Sequence, residues 1–269
     1  VFSKYNQSLT ESDELEFADI DLPEIFKPFF NKIQQVNTLG ITSTQLGFNR
    51  VSLPNPKRIN GEVVRELGQA IFSEENKEEV LVLPANQTFG EGLFFEFNRE
   101  TISQWATQNR TFFSSRYNQD PGELGKSLKD EMDDYGAPMF YLLHTFSHLI
   151  LKELEFSCGY PTASLKERLY YSDRMCGVLI YTADGSEGSM GGLVWQGQPQ
   201  LMERIILSAL ERAQHCSSDP LCWEANEQLN LAACFSCCLV SETSCEQRNL
   251  GLDRRALVDE EFGYFKTLI

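Results

Sequence analysis

Six of the eight cysteines in this chain fall between Cys216 and Cys245, and that crowding constrains the fold more than any other feature. The spacing is C-x5-C-x11-C-x2-C-x7-C, formed by Cys216, Cys222, Cys234, Cys237 and Cys245, with Cys238 adjoining the C-x2-C. Two thiolates separated by two residues can face one tetrahedral ion from a single turn, which is how structural zinc sites are built. No basic, apolar leader is visible, so metal-ligating thiols in a reducing cytoplasm are expected rather than disulfides.

Local signals bear on which cysteines converge. Asp219-Pro220 reads as the N-cap and first residue of a helix, which puts Cys222 in its first turn. Thr243-x-x-Glu246 reads as a capping box that puts Cys245 in another first turn. Helix N-termini carry partial positive charge and favour the thiolate that zinc requires. The expected ligands are therefore Cys222, Cys234, Cys237 and Cys245, a closed site with no open catalytic position. Cys216 is the main competitor for one place and His215 a weaker one, while Cys238 should face away from the ion. The competing account is a set of buried free thiols, which are ordinary core residues.

Size does not force the chain to depend on metal, because 269 residues at 42% apolar content can bury a proper core. The net charge is −16 and both halves are acidic. A protein that grips nucleic acid by itself usually carries a basic stripe, and none is evident, so DNA contact is expected mainly through a partner. No run is long and apolar enough to span a membrane. The first residue is Val, and a fragment or a trimmed N-terminus is expected.

Taken in order, residues 1–20 read as an acidic arm, and Leu22 to Val36 as a packing helix through Ile25, Phe29, Phe30 and Ile33. Residues 80–84 and 92–97 read as strands flanking a turn, after which Asn98 caps a helix through Ile102 and Trp105 toward Phe112. Residues 120–135 read as a connection and the best boundary, giving an N-terminal α/β region over 1–130 and a zinc-binding region over 131–269. Leu142, Leu143, Phe146, Leu149, Ile150 and Leu154 form the stripe of a buried helix that ends at Gly159. Ser164-Leu165-Lys166-Glu167 fits a capping box opening a short helix. Residues 176–182 read as a strand buried on both faces, Leu193–Trp195 as a short strand, and Pro199 as the start of a strong helix through Met202, Ile206 and Leu210. The fold class is mixed α/β, with helices packed on a small sheet and a C-terminal four-cysteine zinc site.

Two other constellations carry weaker chemistry. His144-x3-His148 puts two imidazoles on one helical face, a spacing that metal sites use, but no Glu follows His144 as in the metalloprotease motif. The pair is expected to pack inside the fold with a hydrogen-bonded partner; the catalytic alternative joins it to Asp184 or Glu187 for phosphoester hydrolysis. Gly185, Gly188, Gly191 and Gly192 follow a buried strand, where backbone amides can hold phosphate. They match neither a dinucleotide fingerprint nor a Walker A motif, and a structural turn is the expectation. Arg254 and Arg255, beside Asp253, read as a surface ion pair.

Taken together, L-H-T-F-S-H-L-I (143–150), S-C-G-Y-P-T-A-S-L-K-E-R-L-Y (157–170), G-V-L-I-Y-T-A-D-G-S-E-G-S-M-G-G-L (177–193), C-S-S-D-P-L-C, A-A-C-F-S-C-C-L and T-S-C-E-Q-R-N-L-G-L-D-R resemble, in that order, the zinc-binding domain at the C-terminal end of MrfA-like helicases. The ordered set is most like the DrmB family of the anti-phage system DISARM, strongly over about residues 140–258 and more weakly at 46–50 and 90–98. The resemblance implies a bacterial cytoplasmic protein that works with a DNA helicase in recognising or processing invading DNA; a non-enzymatic accessory subunit is the expectation, with no catalytic residue assigned. It implies zinc on the chosen cysteines, a DrmA-like DNA helicase subunit as partner, and DNA contact through the complex. The chain has no Walker A motif, so it is not itself the motor, and it is short for a complete family member. A redox sensor is a third reading, disfavoured because zinc-bound thiolates in a closed site are poorly available.

Overall fold

A computed structural model of the chain describes residues 15–45, 56–59, 62–65, 74–75, 81–82, 84–117, 136–172, 175–182, 191–226 and 229–269. One five-stranded antiparallel sheet carries the fold, in the order β1-β2-β7-β9-β8. Its strands are β1 (Leu15–Asp19), β2 (Phe30–Thr44), β7 (Ala85–Phe97), β8 (Leu165–Tyr171) and β9 (Cys176–Thr182). Two small hairpins, β3 (Pro56–Ile59) with β4 (Glu62–Arg65) and β5 (Glu74–Glu75) with β6 (Leu81–Val82), lie between β2 and β7 in sequence. Strands from both sides of residue 130 share the main sheet through the β7–β9 pairing.

Among the described residues there are six α-helices: α1 (Arg99–Gln108), α2 (Arg110–Arg116), α3 (Ala137–Cys158), α4 (Gly192–Trp195), α5 (Pro199–Ala213) and α6 (Arg255–Val258). Helix α3 is the axis of the molecule. A Pro stands in its first turn, and Gly159 closes it in the left-handed conformation at φ 74°, a C-terminal stop that glycine allows without steric cost. Every residue from Met139 to Leu151 is buried, as expected for a helix covered on all sides. The sheet lies on one side of it, and α5 and α6 pack against it. Met202, Ile205, Ile206, Ala209 and Leu210 form the buried face of α5, as the sequence periodicity predicts.

The sheet has a core face and a far face. Phe30, Ile33, Leu93, Phe95, Val178 and Ile180 join the main core, while Val36, Leu39, Phe94 and Leu179 form a smaller cluster. Rings of Phe30, Phe97, Phe146 and Phe265 meet with centroids 4.6 to 6.4 Å apart, so the end of the chain packs against its first long strand.

Several local expectations give way to tertiary structure. Residues 22–36 form a 3-10 turn at Glu24–Phe26 and then β2, not a helix. Burial recurs every three residues along β2 because register shifts between Phe30 and Lys32, and between Val36 and Leu39, reset the period-two alternation. The turn expected between the strands at 80–84 and 92–97 lies instead inside β7. Gly90 and Gly92 fit there because a Cβ would lie 2.1 Å from the Thr182 carbonyl oxygen and 2.7 Å from that of Ile180. Ser164 ends a 3-10 turn and leads into β8, so the capping-box pattern there is accidental. Gly192–Trp195 is helical rather than extended, opened by the carboxylate of Glu91, which accepts from the backbone N–H groups of Gly191 and Leu193 at 2.6 and 2.9 Å. Asn98 does cap α1, its side chain accepting from the Thr101 N–H at 3.2 Å, and β9 and α5 form as expected. The expected boundary segment 120–135 lies outside the described residues, as do Asp184, Gly185, Glu187 and Gly188.

Candidate metal centre

From Gln214 onward, α6 is the only α-helix among the described residues, and the rest of that segment is turns. Two devices hold the turns. Leu231, Ala232, Leu252, Ala256, Leu257 and Phe265 are fully buried, which ties the segment to the core, and four sulfurs gather nearer the surface.

The gathered cysteines are Cys216, Cys222, Cys234 and Cys237, whose sulfurs all lie within 4.8 Å of one another. Sulfur separations are 3.5 Å for Cys216 and Cys234, 3.7 Å for Cys222 and Cys237, and 3.8 Å for Cys234 and Cys237. A tetrahedron of sulfurs at about 2.3 Å from zinc has edges of about 3.8 Å, whereas a disulfide needs about 2.05 Å. The cluster therefore fits a zinc ion in an all-thiolate shell and does not fit bonded pairs.

Each half of the cluster is a tight turn. The Cys234 carbonyl accepts from the N–H groups of Cys237 and Cys238 at 3.2 and 2.9 Å, and the Cys234 N–H points at the Cys237 sulfur at 3.2 Å. In the other half, the Asp219 carboxylate accepts from the Cys216 N–H at 2.8 Å, and the Cys222 N–H reaches the Ser218 carbonyl. Asp219 thus closes a turn rather than capping a helix, and that closure brings Cys216 round to the other three sulfurs. Burial raises the Cys222 thiol. The Cys234 thiol falls to about 6: burial would raise it, but the Cys216 S–H and the N–H groups of Ser236 and Cys237 outweigh that.

Of the expected ligands, the structure brings Cys222, Cys234 and Cys237 together and completes the set with Cys216. Cys245 is elsewhere. Thr243 and Glu246 flank turns, not a helix start, and the Cys245 sulfur sits 3.2 Å from His144 Nε2. Cys238 is fully buried and outside the cluster, and His215 is not part of it.

One contributor lies outside the cysteine pattern. Arg254 is fully buried and donates to the carbonyls of Ala213 and Ala232, to Asp219 at 2.8 Å and to the Cys222 sulfur at 3.6 Å, with its guanidinium over the Trp223 ring. Zinc with four thiolates carries a net charge of about −2, and a buried cation against its edge offsets part of that charge. The expectation of a surface ion pair beside Asp253 is therefore corrected. Asp253 is itself buried and pairs with Arg116 at 2.6 Å. Likewise, the amides of Gly191 and Leu193 are occupied by Glu91 and do not form an open phosphate cradle.

Comparison with known proteins agrees with this chemistry. Residues 146–238 match the family model of the MrfA Zn-binding domain. The match spans most of α3, the sheet strands β8 and β9, α5 and all four clustered cysteines, and the cofactor is zinc. Along its whole length the chain is 39% identical to the DISARM protein DrmB of Bacillus paralicheniformis, and it spans 48% of that relative's length. No described helix is long and apolar enough to cross a membrane.

Proposed function

We propose that this chain is a zinc-stabilised accessory subunit in bacterial anti-phage defence, DrmB-like in role, that docks a DNA helicase of the DrmA type in the cytoplasm and supports its handling of DNA. The observation that carries this reading is what the thiol cluster presents. Leu221 and Phe235, each 81% exposed, stand on the two turns that the four sulfurs join. Apolar side chains on turns already fixed by a metal lose little freedom on binding, which favours a docking surface. An acidic chain of net charge −16 also suits the basic surface of a nucleic-acid motor better than it suits DNA itself.

The hydrolase alternative is weaker. His144 and His148 are fully buried, so they offer no edge to a phosphodiester. A hydrolytic pair must come within hydrogen-bond reach of its substrate.

Copurification tests the proposal. Tagged chain expressed in its own host should bring down a helicase-like ATPase, and a doubly substituted Leu221→Ser, Phe235→Ser chain that keeps its zinc should bring down much less. Recovery of no such ATPase with the unsubstituted chain would contradict the docking role.

A further inference from the structure

A second group of metal-binding side chains lies inside the core, and neither the family match nor the docking role involves it as a site. His144 and His148 on α3, Glu167 on β8 and Cys245 in the C-terminal turns bring four potential ligand atoms within 4.8 Å of one another. His144 Nε2 is 3.2 Å from Glu167 Oε1 and 3.2 Å from the Cys245 sulfur, and His148 Nε2 is 3.4 Å from Glu167 Oε1. Ligands at about 2.0 to 2.3 Å from one tetrahedral zinc are separated by about 3.3 to 3.6 Å. The three separations, 3.2, 3.2 and 3.4 Å, lie within or just below that range.

Proton placement argues that a cation belongs between these atoms. The Nδ1 atoms of His144 and His148 face the carbonyl oxygens of Gly251 at 3.3 Å and Cys238 at 2.9 Å. Carbonyl oxygens only accept, so each imidazole carries a proton on Nδ1, and a neutral ring then turns its Nε2 lone pair inward. Backbone carbonyls holding the outer nitrogen are the usual supports of metal-bound histidine. Facing those lone pairs are a carboxylate and a sulfur. The sulfur already receives the N–H groups of Gln247 at 3.3 Å and Asn249 at 3.1 Å, the same kind of contact that the Cys237 sulfur receives in the four-thiol cluster. His148 Nε2 and Glu167 Oε2 have no hydrogen-bond partner. Four electron-rich atoms in a dry core repel one another unless protons or a metal ion lie between them, and buried polar atoms without partners are costly.

Glu167 reaches this place because strand alternation forces it. Leu165, Glu167 and Leu169 point to the core face of β8, so the carboxylate replaces a core side chain directly under α3. The geometry points to a second, fully buried site for a divalent transition metal of the zinc class, ligated by His144 and His148 through Nε2, by Glu167 and by Cys245. Two imidazoles, a carboxylate and a thiolate fill a tetrahedron, so the site is closed and structural, tying α3, β8 and the C-terminal turns together.

X-ray absorption at the zinc edge decides the matter on the unsubstituted full chain, loaded with zinc chloride and freed of excess by gel filtration. The expected result is about two zinc ions per chain, with an average shell of about 2.5 sulfurs and about 1.5 nitrogens or oxygens per zinc, since one site supplies four sulfurs and the other only one. One zinc per chain in an all-sulfur shell overturns the proposal, as do two zinc ions with sulfur ligands alone. His148→Gln should lower the count to one and leave an all-sulfur shell; if that variant fails to fold, the measurement on the unsubstituted chain stands by itself.

Discussion

The two clusters of ligand-type side chains are built in opposite ways. Cys216, Cys222, Cys234 and Cys237 come from two turns of one short stretch, close to the surface, with only Cys222 buried below a tenth of its area. His144, His148, Glu167 and Cys245 come from a helix, a strand and a late turn, and all four are buried. A site made of local turns can be assembled by the metal itself, because the metal selects the turn conformation. A site made across a core is assembled by packing, and the polar atoms it buries must be satisfied once the core closes. The first cluster should therefore govern local order in the C-terminal segment, and the second should govern stability of the whole fold.

The largest effect expected from this contrast is that of Glu167→Leu. Removing the carboxylate strands two buried imidazoles and should cost about 3–5 kcal/mol in urea unfolding, the range for breaking a buried charged cluster. A loss below about 1 kcal/mol would mean that the core cluster does not hold the fold together. Next is Arg254→Met, which removes the guanidinium that donates to Asp219 and to the carbonyls of Ala213 and Ala232 and should cost about 3 kcal/mol. It should also hasten zinc loss to a chelator; an unchanged release rate would separate Arg254 from the thiol cluster.

Asn249→Ala probes the strap between the two regions. The Asn249 side chain pairs with both backbone groups of Val240, two residues from Cys238, while its N–H reaches the Cys245 sulfur, and its φ of 59° suits Asn better than Ala. A cost of about 2 kcal/mol is expected by thermal unfolding, from buried partners left unpaired and added backbone strain. Smallest of all, Phe235→Ser at the exposed tip should change stability by less than about 0.5 kcal/mol while weakening partner recovery. A large stability loss there would make the tip part of the fold rather than a free surface.

The same contrast explains how much of the molecule was legible in its sequence. Elements whose signal is local formed where expected: the α3 stripe ending at Gly159, the Asn98 cap, the β9 run and the α5 helix opened by Pro199. Patterns of three or four residues misled where long-range pairing set the conformation. The three-residue spacing of β2 imitates a helix because bulges interrupt alternation, and the box at Ser164 precedes a strand already claimed by β9. The C-x2-C knuckle was legible, and so was zinc. The structure gathers Cys216 rather than Cys245 with the other three sulfurs because both supposed helix starts are turns, and the closure of the Cys216 turn depends on the side chain of Asp219. The histidine spacing was visible, but nothing in the sequence near it pointed to Glu167 or Cys245, which reach it only through the sheet and the final turns. A carboxylate between two leucines in an alternating strand was the one available hint.

The central claim is that zinc sits among Cys216, Cys222, Cys234 and Cys237, and cadmium NMR of the cadmium-substituted chain tests it most directly, because an all-thiolate cadmium resonates well apart from one with nitrogen or oxygen ligands. The account predicts that the all-thiolate resonance disappears in Cys216→Ser and persists in Cys245→Ser. A resonance that survives Cys216→Ser and is lost in Cys245→Ser would contradict it.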